Sequence, residues 1–207
     1  MIYDLSPPIS PSLAVWPGDT PPTREVLREI ARGSNITLST LRTTVHLGSH
    51  ADAPSHYGLD APTIDRRDLS IYIGACRVIH VAAGRGARIG RSDLMGPIDA
   101  PRILLRTGTF PDPSTVNDDF AALDPSLIDD LHREGVILVG LDTPSVDLFD
   151  SKELPAHHAF LRNDMAILEG LRLDGVPEGL YELIALPLRL VDFDASPVRA
   201  ILRDLPR

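Results

Sequence analysis

Three of the seven histidines fall in the eleven positions from His46 to His56, where an even spread would place fewer than one. The segment reads His46-Leu-Gly-Ser-His50-Ala-Asp52-Ala-Pro-Ser-His56, so a carboxylate stands among the imidazoles. These are the donors a Zn2+-type ion takes from a protein, at about 2.0–2.2 Å. In a straight strand His46 and His50 would share a face about 13 Å apart, at ~3.3 Å per residue, too far to converge on one ion. The chain must therefore turn or bulge between them, and Gly48 is where it does so cheaply. Ala53-Pro54 then forces an extended or turning backbone, which aims His56 differently from the two earlier histidines. A lone His-x-x-x-His would be read as surface or capping histidines; the whole pattern points to a metal.

Other histidines carry weaker signals. His157 and His158 precede Glu169 by a little over three helical turns, so one helix could deliver an imidazole and a carboxylate at separate points. Alone, these three are ordinary helix residues. His80, inside Val78–Val81, reads as a satisfied core histidine, and His132, beside Arg133 and Glu134, as part of a solvated face.

The elements that must position these groups are short. Apolar runs at Arg77–Val81, Arg102–Arg106, Val136–Leu141 and Tyr181–Leu190 suit buried strands by length and β-branched content. Asp124-Pro125 supplies an N-cap and a first-turn proline for a helix carrying Leu127, Ile128 and Leu131 on one face and stopping at Gly135. A second helix is expected over residues 157–169 and a short third after Ser92. Ser6–Pro22 is proline-rich but anchored by Leu13, Val15 and Trp16, which predicts an ordered loop or edge strand, with a turn at Pro17-Gly18-Asp19. The expected class is α/β (α+β), a single domain over residues 1–207 with a mixed β-sheet or barrel-like core flanked by helices.

A mean hydropathy of +0.01 and 43% apolar residues fit a globular protein of 207 residues with a substantial core. A net charge of −9 argues against nucleic acid as partner. No apolar run is long enough for a membrane span and the N-terminus lacks the blocks of a signal peptide. The single Cys76 lies in an apolar stretch and reads as a buried thiol; these features predict a cytoplasmic protein.

The 46–56 segment resembles the signature of the bacterial cyclase-type metal hydrolases, and the whole chain is similar to their kynurenine formamidase (arylformamidase) branch. Three further stretches carry the likeness: Trp16-Pro-Gly-Asp-Thr-Pro21, Gly140-Leu-Asp-Thr-Pro-Ser-Val-Asp147, and Tyr181-Glu-Leu-Ile-Ala-Leu-Pro187 with Asp194-Ala-Ser-Pro-Val-Arg199. The family usually has Thr where this chain has Ser49, a change that keeps the hydroxyl. The resemblance implies a swivelling β/β/α-like fold, a homodimer or larger assembly and two divalent ions per subunit, Zn2+ first and Mn2+ as an alternative. It implies His46, His50 and Asp52 as ligands of one ion, and a bridging Asp52 with His157 and Glu169 for the other; His157 is preferred to His158 for its spacing to Glu169. It assigns His56 as catalytic acid/base and Trp16 to substrate contact, in hydrolysis of the small molecule N-formyl-L-kynurenine to L-kynurenine and formate during tryptophan degradation.

The residue types suit that reaction. Amide hydrolysis needs a nucleophile, charge stabilisation at the carbonyl oxygen and a proton for the leaving nitrogen. Metal ions lower the pKa of a bound water to about 7 and stabilise developing charge. An imidazole with an ordinary pKa near 6.5 moves the protons. Rival expectations are a related enzyme acting on another small amide such as isatin, and a non-catalytic metal-binding protein. A serine esterase lacks its Gly-x-Ser-x-Gly elbow here.

Overall fold

In the computed structural model, which describes residues 1–205, the apolar runs become strands. The first five strands are β1 (Ile2–Asp4), β2 (Thr23–Arg28), β3 (Leu38–Arg42), β4 (His50–Asp52) and β5 (Ile73–His80). Then come β6 (Arg88–Ile89), β7 (Arg102–Arg106), β8 (Ala122–Leu123), helix α1 (Pro125–Arg133), β9 (Leu138–Leu141) and helix α2 (Pro155–Arg162). The chain closes with β10 (Ala166–Glu169), β11 (Gly179–Ile184), β12 (Ala195–Pro197) and β13 (Ile201–Arg203). Nine of the strands form one mixed sheet in the order β1-β13-β11-β5-β7-β9-β10-β4-β12, curled into a half-barrel.

The strands β5, β7, β9 and β10 run parallel, and β4 pairs antiparallel with β10 on one side and β12 on the other. Parallel strands are buried on both faces, which explains their nearly continuous apolar sequence. Alternate residues serve two cores: Val78, Leu104, Leu138 and Leu168 point into one, and Ile79, Ile103, Leu105, Val139 and Ile167 into the other. Helices α1 and α2 cover the second core through Leu127, Ile128, Leu131, Ala156, Ala159 and Phe160. The mixed sheet and flanking helices agree with the fold expected from sequence.

Helix α1 starts as its sequence dictates: the Asp124 carboxylate accepts from Ser126 N at 2.8 Å, a cap worth about 1 kcal/mol. Gly135, at φ +87°, lets the chain leave the helix. The expected helix over 157–169 is corrected. It ends at Arg162, Asn163 Nδ2 donates back to Ala159 O at 2.9 Å, and Asp164 takes a left-handed φ of +49°. Residues 166–169 then form β10, so Glu169 ends a strand; a short apolar run such as Ala-Ile-Leu fits helix or strand equally until its neighbours are known. The fourth strand run stops at Ile184, ahead of Pro187, and the expected third helix is a single 3-10 turn at Arg91–Asp93. Cys76 is buried as expected, and Ser6–Pro22 is irregular chain anchored by buried Leu13.

Candidate metal centre

The site is assembled where β4 lies between β10 and β12. The chain turns between His46 and His50 at Gly48, φ +54°. Ser49 is buried there, its Oγ lying 3.0 Å from Leu5 O and 2.9 Å from Gly170 O, so the hydroxyl ties the turn to two other segments. In β4, His50 and Asp52 are two residues apart and share a face. The antiparallel register sets Glu169 of β10 directly opposite His50. Past β4, Ala53 is extended and Pro54–His56 form a 3-10 turn that swings His56 back to the site. Helix α2 contributes His157, and Asp194 immediately precedes β12.

Two triads offer ligand atoms all within 4.8 Å of one another: His46, Asp52 and His56, and His50, Asp52 and Glu169. Asp52 belongs to both. His157 Nε2 lies beside them, 3.6 Å from Asp52 Oδ2 and 3.8 Å from Glu169 Oε1. His50 Nε2 is 3.3 Å from Glu169 Oε2 and 3.5 Å from Asp52 Oδ1. His46 Nδ1 is 3.1 Å from Asp52 Oδ1 without hydrogen-bond alignment, and its Nε2 is 3.0 Å from Asp194 Oδ2. The second nitrogens are anchored: His50 Nδ1 donates to Gly48 O and His157 Nδ1 to Asp147 Oδ2, each at 2.9 Å. Both imidazoles therefore present Nε2 to the carboxylates.

This donor set fits a cation. Asp52 is 2% exposed, yet both its carboxylate oxygens, and His50 Nε2, lack a hydrogen-bond partner. Buried polar atoms are otherwise almost always satisfied, and a carboxylate left so is costly. The surrounding negative charge is visible in the imidazoles. Burial disfavours a charged His46, but Asp52 and Asp194 outweigh it and raise its pKa to about 9. His157 is likewise opposed by burial and raised to about 10 by Asp147 and Asp52. Asp52 itself is held well below the usual carboxylate range: the close approach of the His157, His46 and His50 rings overcomes burial. His56 goes the other way, lowered by burial.

The centre opens into a cleft of about 590 Å³. Trp16 lines it from the N-terminal loop, its ring centroid 4.8 Å from Phe149 and 6.2 Å from Phe120. The fold thus brings His46, His50, Asp52, His56, His157 and Glu169 together with Trp16 around one cleft. His158, by contrast, is exposed on α2. His80 donates to or accepts from no site residue; its Nε2 meets Val176 O at 2.8 Å, while His132 is solvent-exposed. Asp147 and Asp194 were given no role from sequence. Both lie in stretches that carry the family resemblance, but nothing in their spacing ties them to histidines 10 and 148 residues away.

Comparison with known proteins agrees with this architecture. Residues 3–148 match the Cyclase family ("Putative cyclase"). The chain is 47% identical over 206 residues to the kynurenine formamidase of Bordetella petrii, covering 99% of this chain and 98% of that one. Its fold superposes with a TM-score of 0.85 on a structure titled as a potential metal-dependent hydrolase with cyclase activity, at 26% identity, covering 100% of this chain and 99% of the other. Isatin hydrolase A from Ralstonia solanacearum shares the fold at a TM-score of 0.82 and 22% identity, over 98% and 91% of the two chains. With matches of this extent, the chain belongs to the Cyclase family.

Proposed function

We propose that the protein is a metal-dependent amidohydrolase that cleaves N-formyl-L-kynurenine to L-kynurenine and formate. The observation that carries the chemistry is Asp52, buried among imidazoles with both oxygens unpartnered. The substrate is supported by the formamidase that is 47% identical over nearly the whole length of both chains, and by the aromatic wall of Trp16 and Phe149 beside the centre. In this reading residues 1–207 act as one catalytic domain.

His46, His50 and Asp52 would hold one divalent ion, and Asp52, His157 and Glu169 a second, with zinc suited to the mixed nitrogen and oxygen donors and manganese an alternative. When bound, such ions supply Lewis acidity, making a water acidic near neutral pH and stabilising charge on the formyl oxygen. His56 takes the proton of the attacking water and delivers it to the aryl nitrogen as the C–N bond breaks. Its half-buried place at the cleft rim, where desolvation lowers its pKa, suits a neutral base. Asp194 Oδ2, which meets His46 Nε2 at 3.0 Å, also lies 3.5 Å from His56 Nδ1. Trp16 stacks on the substrate's aromatic ring.

One observation favours a second assignment: His56 shares a triad with His46 and Asp52, and its ring centroid is 4.2 Å from that of His46. A ligand role for His56 would leave the proton transfers to another group.

The partner is a second copy. Among the described residues the β2–β3 hairpin pairs with no other strand, and it is exposed along its length, Val26, Leu27, Leu38 and Leu41 included. Residues 23–42 carry four arginines and two glutamates, a charge of +2 within a chain of −9, so the arm complements an acidic copy of itself. No helix among the described residues is long and apolar enough to cross a membrane. A buried, unpaired Cys76 suits a reducing cytoplasm.

The test is formate release from N-formyl-L-kynurenine compared with isatin and other small amides, alongside metal analysis of the same preparation. Bound metal without formamide turnover would refute the enzymatic assignment, and faster turnover of isatin would replace the substrate.

A further inference from the structure

Helix α2 begins without a cap of its own. Its N-cap is Leu154, whose side chain accepts no hydrogen bond and whose backbone is left-handed at φ +43°. The first amides of a helix have no partner within it, so something else must receive them. Asp147, outside the helix, does so. Its carboxylate accepts from Ala156 N at 3.1 and 3.2 Å and from His157 N at 3.1 Å. A negative charge at this end also suits the helix dipole.

The same Asp147 Oδ2 receives His157 Nδ1–H at 2.9 Å. The imidazole proton is thereby kept on Nδ1, and Nε2 faces Asp52 and Glu169 at 3.6 and 3.8 Å. Asp147 is itself fixed: it is 0% exposed, Arg88 Nη1 donates to its Oδ1 at 3.0 Å, and the same Nη1 donates to Leu123 O at 2.7 Å. Arg88 lies on β6 and Leu123 on β8, a pair of strands outside the main sheet. One carboxylate therefore sets where α2 starts, which ring nitrogen of His157 carries the proton, and how both are tied to a separate ribbon.

We propose that Asp147, braced by Arg88, is the positioning residue of the half of the metal centre that contains His157. The assignment rests on the two-ion reading above. Asp147 touches neither substrate nor metal; it acts by engaging His157 Nδ1, so that Nε2 is the ring nitrogen turned toward Asp52 and Glu169. Such a carboxylate-to-imidazole bond is worth about 10–100-fold in metal affinity.

The experiment is Co2+ titration of metal-free wild-type, Asp147→Asn, His157→Ala and double-variant proteins, followed by visible absorption, with thermal unfolding of each metal-free protein. Asparagine keeps an oxygen at the Oδ1 position for Ala156 N and Arg88, but places an N–H donor at the Oδ2 position, where His157 Nδ1–H and the His157 amide need an acceptor. The expected result for Asp147→Asn is one ion per chain weakened by about 10–100-fold and the other little changed, with cooperative unfolding retained. The double variant should bind no more weakly than His157→Ala alone, because Asp147 acts through that ring. Unchanged affinity for both ions, or equal loss of both with a collapse in melting temperature, would overturn the proposal. Should Asp147→Asn fail to fold, Arg88→Met decides: weakening of the same single ion supports the role, and wild-type binding of both ions refutes it. A wild-type chain that takes up fewer than two Co2+ would instead overturn the two-ion reading, and the role of Asp147 with it.

Discussion

Gly170 lies so close to Gly48 that a Cβ on it would stand 2.2 Å from the Gly48 carbonyl oxygen. The contact locks the residue after Glu169 onto the turn between His46 and His50, so two segments that carry candidate ligands, 122 positions apart in sequence, share one backbone contact. Gly170 is also left-handed, at φ +64°. Gly170→Ala should therefore cost about 2–5 kcal/mol through backbone strain and overpacking, and should weaken metal binding as the two segments part. Thermal unfolding and metal content of the variant check this; wild-type values for both would show that the turn yields freely.

His56→Ala is expected to retain full metal content and to lower turnover by about 10²–10⁴-fold, the usual contribution of a proton-transferring side chain. His50→Ala should lose metal. Metal analysis with formate release on both variants separates the roles, and equal metal loss in the two would make His56 a ligand.

Buried His157 and exposed His158 are adjacent on α2. His157→Ala should lose one ion per chain, whereas His158→Ala should keep both and full activity. Elemental analysis reads this directly; the reverse pattern would transfer the ligand role to His158.

Metal-free protein should release protons when it binds metal. With pKa values raised to about 9 for His46 and about 10 for His157, both rings carry a proton at pH 7.5 in the absence of an ion. A ligand nitrogen must be neutral, so binding expels about two protons per chain and apparent affinity climbs with pH until the rings deprotonate on their own, near pH 9–10. Calorimetry in buffers of different ionisation enthalpy measures the release. Affinity that is flat from pH 6.5 to 9 would contradict it.

The sequence was most informative where candidate ligands lie close along the chain. From His46 to His56 the donor types, the need for a turn at Gly48 and the redirection at Pro54 could all be read from covalent geometry. Helix α1 was equally legible, since Asp124, Pro125 and Gly135 act through local backbone chemistry. Glu169 shows the limit. Its place opposite His50 depends on β10 pairing with β4, and the apolar run before it is compatible with the helix that was expected there.

Local sequence by itself determined the donor cluster, the turn that folds it and the apolar runs that become strands, because these follow from residue chemistry over a few bonds. Tertiary structure alone decided which of two adjacent histidines faces inward, that Asp52 is shared by two triads, and that Asp147 and Asp194 stand behind His157 and His46. Those facts arise from strand register and helix placement, where a shift of one residue turns a side chain to the opposite face.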